Sequence, residues 1–139
     1  MTKKLIDTNI LIYAYDNSDP IKHEIAKKVL KELDENGEGL ISAQNLAEFS
    51  RVLCEKARPS ISYNQVRIYV LQLKSLYQII AYNEQEVVEA LHLASNYGLH
   101  FFDSLLAATM ESNFVNEIVT ENERDFSKLH GLKVTNPFK

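Results

Sequence analysis

The amino-acid sequence predicts an α/β fold, a central parallel sheet of four to five short strands with helices on both faces. Two observations carry that prediction. Short apolar runs of three to five residues alternate with longer segments of helical period along the whole 139-residue chain, the pattern of a parallel sheet whose strands are joined by helices. Polar and acidic side chains directly follow several of these strand runs, and in open sheets of this kind ligands bind outside the carboxyl ends of the strands.

The elements follow in order. "KLI" (4–6) is the first strand, and a helix covers 8–15. A second helix covers 21–35, where Ile25, Val29, Leu30 and Leu33 recur at helical spacing until Gly37 and Gly39 stop it. "GLIS" (39–42) is a strand, and 43–57 a helix ended by Pro59. Another helix covers 62–76, opened by a serine cap at Ser62. "YQIIA" (77–81) is a strand, 83–98 a helix running from an asparagine cap to a glycine stop, and 103–112 a further helix. "EIVT" (117–120), a helical turn at 123–129 and "KVT" (133–135) complete the pattern. No repeat, low-complexity stretch or linker divides it, so a single domain is expected over 1–139.

With 45% hydrophobic and 24% charged residues, the chain has material for one sizeable core. Its single cysteine, Cys54, cannot form an internal disulfide and lies beside Val52, Leu53 and Ala57, as a packed helical residue would. That points to a reducing compartment. Two lysines before an apolar run faintly resemble a signal peptide, but Asp7 and Asn9 interrupt the run. No stretch reaches the roughly 18 to 20 apolar residues of a membrane span, and a soluble cytoplasmic protein is expected.

The net charge of −4 argues against a protein that coats nucleic acid with its whole surface. Between residues 51 and 74, however, Arg51, Lys56, Arg58, Arg67 and Lys74 face only Glu55, a local net of +4, while the flanking parts are acidic. This segment reads either as a solvated helical face or as a phosphate-attracting patch beside an acidic centre.

"LIDTN" (5–9) sets the functional question, because burying the carboxylate of Asp7 without a partner costs several kcal/mol. Asp7, Asp103 and Asp125 all stand where a helix can begin, and each is explicable as a cap contributing about 1 kcal/mol. Glu48 lies away from the apolar stripe of Leu46, Phe49 and Leu53 and taken alone reads as a solvent-facing glutamate. As a set they mean more. Several carboxylates at one rim repel unless a cation sits among them. Mg²⁺ or Mn²⁺ takes oxygen ligands, keeps several waters and completes its shell with substrate phosphate oxygens, which points to phosphodiester chemistry.

"IDTNILIYAYD", "NLAEFSRVL", "FFDSLLAATM" and "IVTENERDF", in this order over nearly the whole chain, resemble the PIN domain. That is the metal-dependent ribonuclease fold of VapC-type toxins in prokaryotic toxin–antitoxin pairs. The resemblance implies that Asp7, Glu48, Asp103 and Asp125 are the four acids of the site. Asp7 and Asp103 would hold one or two Mg²⁺ or Mn²⁺ ions directly, and Glu48 and Asp125 would ligate or order metal-bound water. Thr8 and Asn9 would accompany the first acid, while Thr120 and Asn122 would hold the loop before the last. Glu121 is left either as a fifth carboxylate or as a solvent-facing residue. The implied activity is metal-assisted hydrolysis of RNA, with no protein nucleophile. The implied partners are a second copy in a homodimer and a small VapB-like antitoxin whose tail puts a cationic side chain among the acids.

Arg51, one turn beyond Glu48, is expected to meet the RNA backbone together with Lys56 or Arg58. Tyr63, Ile68, Tyr69 and Leu71 read as core, or as the lining of a groove or dimer contact. Rival chemistries lack their residues. His23, His92, His100 and His130 are scattered, and there is no "HExxH", paired "CxxC" or "GxxxxGK". A phosphoacceptor receiver domain would want a lysine after the last strand, where only Lys139 is found. The alternatives left open are a PIN-like binding or assembly module with little catalysis, and a solitary PIN nuclease of RNA processing.

Overall fold

The computed structural model describes residues 2–139. Strands β1 (Lys4–Ile6), β2 (Gly39–Ser42), β3 (Gln78–Ile80), β4 (Glu117–Val119) and β5 (Lys133–Thr135) form one sheet in the order β3-β2-β1-β4-β5, every neighbouring pair parallel. In register, Leu5 lies between Leu40 and Ile118, and Val119 lies against Thr135. The central strands are apolar on both faces because both are covered. Leu5, Leu40 and Ile118 pack with Leu106, Met110 and Phe126 on one side. Ile6, Ile41 and Val119 pack with Ile10, Leu11, Phe49, Leu53 and Leu73 on the other.

The helices are α1 (Thr8–Tyr15), α2 (Pro20–Glu35), α3 (Ala43–Arg51), α4 (Tyr63–Leu76), α5 (Glu84–Tyr97), α6 (Phe101–Ser112) and α7 (Glu123–Phe126). Caps explain most of the boundaries. Ser62 and Asn83 accept N–H bonds at the starts of α4 and α5, and Gly98 ends α5 in the left-handed region at φ 66°. Asp19 caps α2 and Pro20, which needs no N–H partner there, occupies its first position, so α2 begins one residue before the apolar period does.

Beyond shifts at other ends, such as α7 stopping at Phe126 where the sequence predicts a turn over 123–129, two boundaries depart from the sequence expectation in ways that bear on the site. The helix expected over 43–57 is α-helical only to Arg51, and Val52–Lys56 continues as a π-helical turn closed by the Ala57 N–H donating to the Val52 carbonyl (2.8 Å). Pro59 lacks an N–H and disfavours helical backbone before it, which leaves the end of the segment to find other bonds. Helix α6 begins at Phe101, two residues early, because Phe101 packs on the cluster of Ala90, Leu105 and Ala108 between α5 and α6. Asp103 is therefore the third residue of its helix, and its side chain is not the cap.

Tyr63, Ile68 and Leu71 are exposed on α4, so for them the core alternative fails, while Tyr69 is half-buried with its ring 4.6 Å from that of Tyr15. Cys54 is half-buried. Among the described residues no helix is long and apolar enough to cross a membrane. For function, the decisive consequence of the strand order is that β2, β1 and β4 lie side by side, so Ser42, Asp7 and Thr120, the residues at or just past their carboxyl ends, share one edge.

Candidate active site

Asp7 leaves β1 and caps α1, accepting the Thr8 N–H (2.8 Å) on Oδ1. Its Oδ2 accepts the Thr120 hydroxyl (2.6 Å) and the Asn9 amide (3.3 Å). Thr120, fully buried after β4, also accepts from Asn9 Nδ2 (3.3 Å) and from the Asn122 N–H (2.9 Å), while Asn9 Oδ1 accepts the Glu121 N–H (3.1 Å). The four companions expected around the first acid and the last loop, Thr8, Asn9, Thr120 and Asn122, thus form one connected network with it. Burial nevertheless holds the Asp7 carboxyl above the usual carboxylate range, against the opposing pull of the Thr120, Thr8 and Asn9 bonds.

Glu48 reaches this network from α3, its Oε1 accepting the Thr8 hydroxyl (3.2 Å). Its carboxyl is raised by partial burial, then by the negative charges of Asp7 and Asp103. Asp103, in the first turn of α6, is raised by burial, then by the charges of Asp7 and Asp125, with a small opposing contribution from His100. Asp125 sits half-buried in α7 and pairs with Lys128 at 3.6 Å. The four acids come from four separate stretches of chain, and the charge of Asp7 bears on both Glu48 and Asp103. Among the described residues no salt bridge from a basic side chain reaches Asp7, Glu48 or Asp103.

Glu121 faces elsewhere. Its Oε2 accepts the Tyr13 hydroxyl (2.9 Å) and its Oε1 pairs closely with Lys22. Both of its carboxylate oxygens are thus held by protein partners.

Two residues that the sequence reasoning passed over hold the site together. Asn45, fully buried, donates to Thr8 Oγ1 (2.9 Å) and to Asp7 Oδ1 (3.5 Å). Its own carbonyl accepts the Ser42 N–H (3.2 Å) while Ser42 Oγ accepts the Asn45 N–H (3.0 Å), a capping box that fixes the start of α3. The Ser-x-x-Asn spacing of "SAQN" was the available signal. Gln44 Nε2 bridges Glu48 Oε1 (3.4 Å) to the Phe102 carbonyl (2.8 Å), next to Asp103, and its buried Oε1 has no partner among the described residues. No sequence signal marked Gln44.

The donor set fits a hard divalent cation. It is all oxygen, acidic, partly desolvated and short of positive charge. Among the described residues no three His, Cys, Asp or Glu side chains close on one point as an all-protein metal cage would. Arg51 ends α3 and is exposed, as are Lys56 and Arg58, although the Arg58 guanidinium bonds the Ala57 carbonyl at 3.2 Å.

Fold and site together define an α/β domain with acidic side chains at the carboxyl edge of a parallel sheet. The PIN domain family model matches residues 4–132, and the chain belongs to that family. Among solved structures it is similar to a toxin–antitoxin complex from Klebsiella pneumoniae, with 25% identity, 99% of each chain covered and a TM-score of 0.71. It is similar in fold to VapBC2 from Rickettsia felis bound to a promoter DNA fragment (20% identity, 97% and 98% covered, TM-score 0.72). It is also similar in fold to Mycobacterium tuberculosis VapC20, a toxin that cleaves the sarcin-ricin loop (14% identity, 90% and 93% covered, TM-score 0.70). Comparison with curated proteins returned no significant match.

Proposed function

We propose that the chain is a Mg²⁺- or Mn²⁺-dependent endoribonuclease of the VapC type, acting as the toxin of a toxin–antitoxin pair. One observation carries the reading: the charges of Asp7 and Asp103 bear on Glu48 and those of Asp7 and Asp125 bear on Asp103, while among the described residues no basic side chain pairs with Asp7, Glu48 or Asp103. PIN membership supports it, as does similarity to a toxin that cleaves the sarcin-ricin loop.

Asp7 and Asp103 would hold the ion, with Glu48 and Asp125 ligating it or ordering its waters. The ion supplies Lewis-acid activation of a water and offsets charge building on the phosphate. Thr120, Thr8 and Asn9 hold Asp7 in one orientation, and Gln44 holds Glu48 against the start of α6. Arg51, with Lys56 or Arg58, meets the RNA backbone. The partner is an antitoxin of the VapB kind, supported by the toxin–antitoxin complexes among the similar structures. A homodimer belongs to the same reading, with the exposed Tyr63, Ile68 and Leu71 face of α4 available for such contacts.

The test is cleavage of a mixed RNA substrate with Mg²⁺ or Mn²⁺, with EDTA, and by the Asp103→Asn variant. Cleavage confined to the metal-supplemented unmodified protein is expected. Cleavage that persists in EDTA and in the variant overturns the metal-nuclease reading, and a folded protein that cleaves no RNA under any condition favours a binding module.

A further inference from the structure

Glu121 lies between two residues committed to the acidic rim, Thr120 and Asn122, yet its carboxylate bonds neither of them nor Asp7. Its backbone is part of the rim, since its N–H donates to Asn9 Oδ1 (3.1 Å) and Asn9 donates in turn to Asp7. Its side chain is captured by α1 and α2, through the Tyr13 hydroxyl (2.9 Å) and the Lys22 ammonium. Lys22 is placed by more than its charge. Its Nζ lies 3.4 Å from the Tyr13 hydroxyl, 5.0 Å from the Tyr13 ring centroid and 5.4 Å from that of Phe138, and the two rings meet edge to face at 5.2 Å. A cation seated over two aromatic faces keeps its position better than one on a free surface arm.

We propose that Lys22 is a positioning residue of the metal-binding site, holding the Glu121 carboxylate out of the site and pinning the Thr120–Asn122 loop that orients Asp7. It rests on the metal-site reading above and adds to it residues from α1, α2 and the 136–139 segment. An exposed ion pair alone is worth little. The distinction here is that releasing Glu121 frees a further negative charge beside the acidic rim, where it can join the ligands of an ion. Tyr13 and Lys22 remove that option while leaving the Glu121 backbone bonded to Asn9.

The experiment measures Mn²⁺ binding by titration calorimetry, and kcat and KM for Mn²⁺-dependent RNA cleavage, in the unmodified protein, in Lys22→Met and in the double variant Lys22→Met/Glu121→Gln. Methionine keeps an apolar stem against the two rings without the charge. Lys22→Met is expected to bind Mn²⁺ about twofold to fivefold more tightly, the size of effect one part-exposed charge produces, and to lose kcat with KM little changed. The double variant, with no released carboxylate, is expected to return both toward the unmodified values. A purely structural role would lower the melting temperature without moving Mn²⁺ affinity. Lys22→Met that binds Mn²⁺ and turns over like the unmodified protein overturns the proposal alone, whereas an unmodified protein that takes up no Mn²⁺ overturns the metal-site reading beneath it.

Discussion

Replacing Asp7 by asparagine is expected to stabilise the metal-free protein while abolishing its metal response. The carboxylate is buried, and Glu48 is linked to it through Thr8 Oγ1 and Asn45 Nδ2 by contacts of 3.2, 2.9 and 3.5 Å. At an effective dielectric of about 20, like charges roughly 8 Å apart repel by about 2 kcal/mol, which Asp7→Asn relieves. Asparagine serves equally well as a helix cap, so the Thr8 N–H keeps an acceptor. The amide then faces Thr120 and the longer Asn9 contact, and losing those hydrogen bonds costs about 1 to 2 kcal/mol. The balance is a gain of up to about 1 kcal/mol, or a rise of up to about 4 °C in melting temperature for a domain of this size.

The sign has a pH signature. A carboxyl whose folded pKa is raised binds its proton more readily in the folded state, so the metal-free protein loses stability as pH rises from the unfolded-state value near 4 through the folded one, and the full penalty is present above both. Asp7→Asn flattens that slope. The assay is thermal melting in EDTA from pH 4 to 8 and again with excess Mn²⁺, where the unmodified protein gains stability and the variant does not. A variant that melts several degrees below the unmodified protein at pH 8 in EDTA would refute the reasoning, because it would mean that the Asp7 charge stabilises the fold without an ion.

Thr120→Val keeps the shape of a fully buried side chain but removes the donor to Asp7 and the acceptor of the Asn9 and Asn122 N–H groups; a loss of about 2 to 3 kcal/mol is expected in urea unfolding. Gly39→Ala would set a Cβ 2.7 Å from the Tyr77 ring, which cannot retreat easily because its hydroxyl donates to the Leu30 carbonyl at 2.6 Å; a destabilisation of about 1 to 3 kcal/mol is expected, and an unchanged denaturation midpoint would count against so tight a packing. Arg51→Ala, made in an Asp103→Asn background so that RNA stays intact, is expected to weaken RNA binding for all sequences alike and to lower the slope of log K against log salt by about 1 in fluorescence anisotropy. An unchanged slope would remove Arg51 from the RNA path.

Much of the site was legible because the acids stand in local settings that sequence reveals. Asp7 follows an apolar strand and opens a helix, and Ser62 and Asn83 announce helices by the same rule, all three as the structure has them. Other features gave no such sign. The conversion of Val52–Lys56 to a π-helical turn leaves no mark in apolar spacing. Asp103 was placed at a helix start but not as its third residue, since what extends α6 back to Phe101 is a contact with α5 rather than a capping group. The partners of Glu121, Tyr13 and Lys22, lie more than a hundred and nearly a hundred positions away respectively, beyond the reach of any local pattern.

By itself the sequence determined the order of strands and helices, because periodicity, caps and stops act within a few residues of each other, and through the resemblance of its motifs it named the candidate acids. Tertiary structure alone decided which of those acids would meet and how they are held. Thr120 donates to Asp7 across 113 positions of chain only because β4 lies beside β1. Gln44 and Asn45 serve the site only because α3 springs from the strand on the other side. Hydrogen bonds of that range depend on sheet order and on the direction of each side chain, and no local pattern encodes either.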